Sequence, residues 1–145
     1  MSDPFVLLPS LDAYVAAFQA LEDKGKITDK QHQMLKVHHA APGRAVSATT
    51  LAEAVGYAGY SSANMQYGKL AHALSRELGV NLPSVQVGLL AQFVYPAQAK
   101  NDQFLWLMRE RVALALEELG WVQQVSQYLY PDLALAALGS SDSNT

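Results

Sequence analysis

Apolar residues recur at helical spacing from near the start of the chain as far as Gly79, and at a spacing of two after it. Leu11, Tyr14, Val15, Phe18 and Leu21 fall at the i, i+3, i+4, i+7 positions of an amphipathic helix, with Ser10 as N-cap and an end near Lys24-Gly25-Lys26. Thr28, followed three residues later by Gln31, is a capping box. It predicts a second helix to about His39 that buries Met34, Leu35 and His38 and stops at Pro42-Gly43. Ser47 or Thr50 caps a short third helix, with Glu53 as box partner of Thr50; Leu51, Ala52 and Val55 face inward, and Gly56 breaks it. Tyr57 to Tyr60 is then a turn. Ser61 or Ser62 caps the longest helix, whose stripe Ala63, Tyr67, Leu70, Ala71, Leu74 and Leu78 keeps the helical period until Gly79.

Beyond Pro83, Val85, Val87, Leu89, Ala91, Phe93 and Tyr95 alternate with the residues between them, which predicts a strand. The polar connection Pro96 to Gln103 leads to a second short strand, Phe104 to Met108, so a β-hairpin follows the long helix. A helix from about Glu110 to Leu119 stops at Gly120. Trp121 to Tyr130 and Asp132 to Leu138 read as two short helices separated by Pro131. The expected fold is mainly α with a small β-hairpin: a helix-turn-helix or winged-helix-like core plus C-terminal helices. A chain of 145 residues, half of them apolar, suits one core. Residues 1–138 are therefore expected to form a single domain, with the helix-turn-helix core at 25–79, the hairpin at 83–108 and C-terminal helices at 109–138. Residues 139–145 (GSSDSNT) are expected to be a disordered tail.

Charge is distributed unevenly over these elements. Lys24, Lys26, Lys30, Lys36, Arg44, Lys69 and Arg76 face only Asp29 and Glu53 within residues 24–76, a local charge of +5 in a chain whose net charge is -3. All four histidines (His32, His38, His39, His72) lie in the same segment. On the long helix, Ser61, Asn64, Met65, Lys69, His72 and Arg76 gather opposite the apolar stripe, and Ser62 sits with Ser61 at its start. Asn64 suits bidentate bonds to adenine, Lys69 and Arg76 suit guanine or phosphate, and the small serines allow close approach. The bland alternative is a solvated face of an ordinary three-helix core, which is what most polar stripes are.

Helix, helix, helix, hairpin is the order of a winged helix, in which the third helix of the core enters the major groove. Leu51-Ala52-Glu53-Ala54-Val55-Gly56 supplies the small residue at the helix crossing and the glycine for the turn. Here the chain resembles bacterial helix-turn-helix proteins. The stretch SATTLAEAVGYAGYSSANMQYGKLAHAL, within roughly residues 28–121, is similar to a winged-helix module of uncharacterised bacterial proteins, some linked to HNH-type restriction nucleases. That resemblance implies a DNA-directed, restriction-associated role. The turn Tyr57 to Tyr60 is longer than in the simplest helix-turn-helix.

Signals for catalysis are weak by comparison. Adjacent His38 and His39 point about 100° apart on a helix and cannot share one ion, and no carboxylate or cysteine stands within a turn of them. The chain has no cysteine, no Gly-x-Ser-x-Gly elbow, no Walker loop and no dinucleotide fingerprint. Glu117 and Glu118 read as a solvated helix face, and Trp106 and Trp121 as core anchors. No enzymatic activity, metal site or cofactor is expected.

The N-terminus MSDPFVLLPS lacks the basic region of a signal peptide, and no window approaches the roughly 20 apolar residues of a membrane helix. A cytoplasmic protein without a membrane partner is expected. The leading expectation is a non-enzymatic protein or accessory module that reads duplex DNA with helix 61–78, while Lys30, Lys36 and Arg44 hold phosphates. The competing one is a protein-interaction module, an immunity, antitoxin or adaptor protein without DNA binding. A third is the targeting domain of a nuclease whose catalytic part lies elsewhere. A homodimer is expected through Val122, Val125, Tyr128, Leu129, Leu133, Leu135 and Leu138, which exceed what docking on one small core needs.

Overall fold

The computed structural model describes residues 8–80, 86–94 and 105–123. Their order is α1 (Leu11–Asp23), α2 (Asp29–Ala40), a 3-10 turn (Pro42–Arg44), β1 (Ala45–Val46), α3 (Ala48–Ala54), α4 (Tyr60–Leu78), a 3-10 turn (Gln86–Leu89), β2 (Ala91–Val94), β3 (Leu105–Met108) and α5 (Glu110–Glu118). The fold is mainly α with a small antiparallel sheet, as the periodicity predicts. Helix, strand, helix, helix, hairpin from α2 to β3, with strand order β1-β3-β2, is a winged-helix-like arrangement to which α1 and α5 are added. The expected C-terminal helices beyond Gln123 and the tail 139–145 lie outside the described residues.

Local signals set most helix ends. Ser10 Oγ accepts from the Ala13 amide, and Thr28 and Gln31 make the reciprocal bonds of the capping box at 3.1 and 2.9 Å. At α3 it is Ser47, not Thr50, that caps: its hydroxyl accepts from the Thr50 amide at 3.1 Å. Gly79 closes α4 in the left-handed conformation at φ +70°, a backbone state that costs a side-chain-bearing residue about 1 kcal/mol.

Two expectations need correction, and one element was not anticipated. The long helix begins at Tyr60 with Gly59 as N-cap and no side-chain cap bond, so neither Ser61 nor Ser62 caps it. The predicted strand over 85–95 is interrupted: Gln86–Leu89 forms a 3-10 turn, and Ala91 to Val94 pair with Met108 to Leu105, while Val85, Tyr95 and the connection 96–104 lie outside the described residues. Leu89, Leu90 and Ala91 are buried in succession, which breaks the alternation. Tyr14 donates to the Leu89 carbonyl at 2.9 Å, and Arg109 to the carbonyls of Gly88 and Leu90, so contacts from α1 and from the start of α5 shape this stretch. β1 was not foreseen, since two residues carry no period; it exists because Ala45 and Val46 pair with Leu107 and Trp106.

One core unites the described elements. Tyr14, Phe18 and Leu21 of α1, Met34 and Leu35 of α2, Leu51 and Ala52 of α3, and Ala63, Tyr67, Leu70, Ala71 and Leu74 of α4 meet Trp106 and Met108 of β3 and Val112 and Leu116 of α5. The Tyr67 ring stacks on Trp106 at 5.0 Å between centroids, and Phe18 meets the edge of Trp121 at 5.7 Å. Both tryptophans are thus anchors of the packing. Burial of α4 on this side leaves its other side to solvent.

Candidate nucleic-acid interface

The free side of α4 is the complement of its buried stripe. At about 100° per residue, Ser61, Met65, Lys69, His72 and Arg76 fall within an arc of roughly 80° centred opposite Tyr67, Leu70 and Leu74. All five are exposed, and Ser62 is half-buried beside them. Asn64 is exposed as well but lies outside that arc, nearer to Tyr60. Tyr60 is the residue missed at the sequence level: placed in the turn, it is the first residue of the helix and 60% exposed, and Met65 is 53% exposed. A Cβ built on Gly59 would meet nothing within 4 Å, so the start of α4 is open to a partner.

No acidic residue stands on this face. The nearest in sequence, Glu77, pairs with Lys24 of the α1 end, which turns its charge toward α1 and leaves the field of Lys69 and Arg76 intact. Lys69 and Arg76 are exposed.

The other cations predicted to touch phosphate have different surroundings. Arg44 is a correction: its side chain is 1% exposed, with Nη2 donating to Glu117 Oε2 at 2.9 Å. Arg44 adopts φ +58° directly after Gly43 at φ +62°, and this pair of left-handed residues reverses the chain and aims the guanidinium inward. A non-glycine residue in that region costs about 1–2 kcal/mol and persists because the surrounding packing holds it. Lys30 is exposed, but its ammonium donates to the Val55 carbonyl at the end of α3 and lies 5.5 Å from the Tyr57 ring centroid. It braces the turn between α3 and α4. Gly56 ends α3 at φ +85°, a conformation that side-chain-bearing residues rarely adopt. Lys36 is exposed beside a cavity of about 440 Å³ lined by His39, Ala40, Gly120, Trp121, Val122 and Gln123.

Glu117 is the second correction, because a solvated face was expected for it. Its Oε2 accepts from Arg44 and, at 2.7 Å, from the His39 Nε2–H, so one carboxylate oxygen joins α5 to α2 and to the turn before β1. Burial lowers the pKa of His39 and the Arg44 charge adds to that, against the raising pull of Glu117. His38 is buried on the other side of the helix. A carbonyl can only accept, so His38 Nε2–H donates to Trp106 O at 2.8 Å, and the bare Nδ1 accepts from the Tyr67 hydroxyl at 2.8 Å. Desolvation pushes His38 down to about 4 and raises the Tyr67 hydroxyl well above its ordinary value. Tyr14 is pushed up to about 12 for the same reason. His32 meets Glu22 at 2.8 Å and the edge of Trp121 at 4.8 Å between centroids.

His38 and His39 thus serve two separate buried networks. Among the described residues no group of three or more metal-ligating side chains comes together, and no helix is long and apolar enough to cross a membrane. What α4 offers is a convex, acid-free surface of hydrogen-bonding, apolar and cationic groups, about the width of a single helix. Comparison with protein-family models, curated proteins and solved structures finds no match for the chain.

Proposed function

We propose that the chain is a non-enzymatic protein or accessory module that binds duplex DNA with α4 laid in the major groove. The carrying observation is the acid-free exposed arc Ser61, Met65, Lys69, His72 and Arg76 on the third helix of a winged-helix-like arrangement. Lys69 and Arg76 supply the charge that phosphates require, and the open start of α4 permits close approach. Lys36 lies away from α4 in sequence and is not needed for this contact. The expected site of action remains the cytoplasm, and two copies reading half-sites one helical turn apart would explain the excess of apolar residues toward the C-terminus.

Titration of a labelled duplex with the full chain at increasing salt tests this. Affinity should fall steeply with ionic strength because phosphate contacts release counterions, and Lys69→Ala with Arg76→Ala should weaken binding and reduce the slope by about two. A double variant that binds as tightly as the parent refutes α4 as the contact surface. A protein-interaction role is the second reading, favoured by the exposed Tyr60 and Met65. It requires a partner whose affinity barely responds to salt. Light scattering on the full chain tests the homodimer: a monomer at micromolar concentration refutes it.

A further inference from the structure

The exposed surface of α4 changes character along its length. Its first two turns present Tyr60, Ser61, Asn64 and Met65, none of them charged, and its cations begin at Lys69 and end at Arg76. At about 1.5 Å per residue, Met65 and Arg76 are roughly 16 Å apart along the axis. Recognition helices touch base edges with their N-terminal residues, while cations further along meet the phosphates that flank the groove. Asn64 and Met65 are consecutive and exposed, about 100° apart around the axis, so an amide and an apolar side chain flank the open end of the helix and can reach neighbouring base pairs. These are the two chemistries an A·T pair displays in the major groove: the N6/N7 edge of adenine, which takes a bidentate amide, and the 5-methyl group of thymine, which takes apolar contact. A G·C pair offers no methyl group and calls for a cation, which this end of the helix lacks.

We propose that α4 reads A·T base pairs, with Asn64 on adenine and Met65 on a thymine methyl group, while Lys69, His72 and Arg76 fix the helix on phosphates. This assignment rests on the DNA-binding reading above and makes Asn64 and Met65 its specificity-determining residues. It also accounts for the large apolar side chain of Met65, 53% exposed on a helix that has buried Ala63, Tyr67, Leu70, Ala71 and Leu74.

The test is selection of the full chain against random-sequence duplexes, followed by replacement of thymine with uracil in the selected duplex. Adjacent A·T pairs should be enriched. Uracil should weaken the parent about fourfold, the worth of one methyl group taken out of water, and Met65→Ala should bind the two duplexes equally. Asn64→Ala should reduce the preference for A·T over G·C about tenfold. Both side chains are exposed, so an unchanged melting temperature confirms that each variant is folded. Enrichment of G·C pairs, indifference to uracil, or salt-dependent binding without sequence preference overturns this assignment and leaves DNA binding standing. Absence of salt-dependent binding to any duplex overturns both.

Discussion

Acidification should destabilise this protein through His38, and the size of the effect follows from its surroundings. The ring is fully buried with both nitrogens satisfied in the neutral form, donating to Trp106 O and accepting from Tyr67. Burial holds its pKa at about 4, against the ordinary 6.5 that it regains when the chain unfolds. Between those values the unfolded chain binds a proton that the folded one refuses, so the contribution is fully present above pH 6.5 and is lost as the pH falls toward 4. Integrating that difference gives a loss of about 2 kcal/mol between roughly pH 7 and pH 5 from this residue alone. His39, also held below its ordinary value, adds a loss of the same sign. Urea unfolding at a series of pH values measures the slope, and His38→Gln isolates the residue because an amide keeps a donor and an acceptor and does not titrate. The variant should be less stable than the parent at neutral pH and lose about 2 kcal/mol less on acidification. Parallel curves for parent and variant over this range would refute the assignment of a neutral, proton-refusing His38.

Glu117→Ala removes the carboxylate oxygen that accepts from Arg44 and His39 and should cost about 3–5 kcal/mol in urea unfolding; a loss below about 1 kcal/mol would mean that the guanidinium reaches water. Thr28→Ala opens one side of the capping box and should cost about 1 kcal/mol, read as a lower midpoint at unchanged slope. Lys69→Ala and Arg76→Ala should change stability by no more than about 0.5 kcal/mol while weakening duplex binding, because both side chains are exposed. A comparable loss of stability in either would show that the residue supports the fold and would disqualify it as a contact probe.

Where an element is determined by residues within one or two turns of each other, this chain shows it in its sequence. Ser10, the Thr28 and Gln31 box and Gly79 mark helix ends because the amides they cap or the reversal they permit are local, and the stripe from Ala63 to Leu74 names the buried side of α4 and hence its free one. The candidate reading surface was legible for that reason. Only tertiary structure decided the rest. β1 forms because Leu107 and Trp106, far along the chain, supply its hydrogen bonds. Leu89 leaves the strand pattern because Tyr14 claims its carbonyl. Charged residues mislead most, since a cation reads the same in sequence whether water or a buried carboxylate will receive it. Arg44 is turned inward by its backbone toward Glu117, Lys30 is held by the Val55 carbonyl, and Lys69 and Arg76 stay in solvent. Burying a charge costs several kcal/mol unless a partner arrives from elsewhere in the fold, so its fate is set by packing at long range and not by its neighbours in the chain.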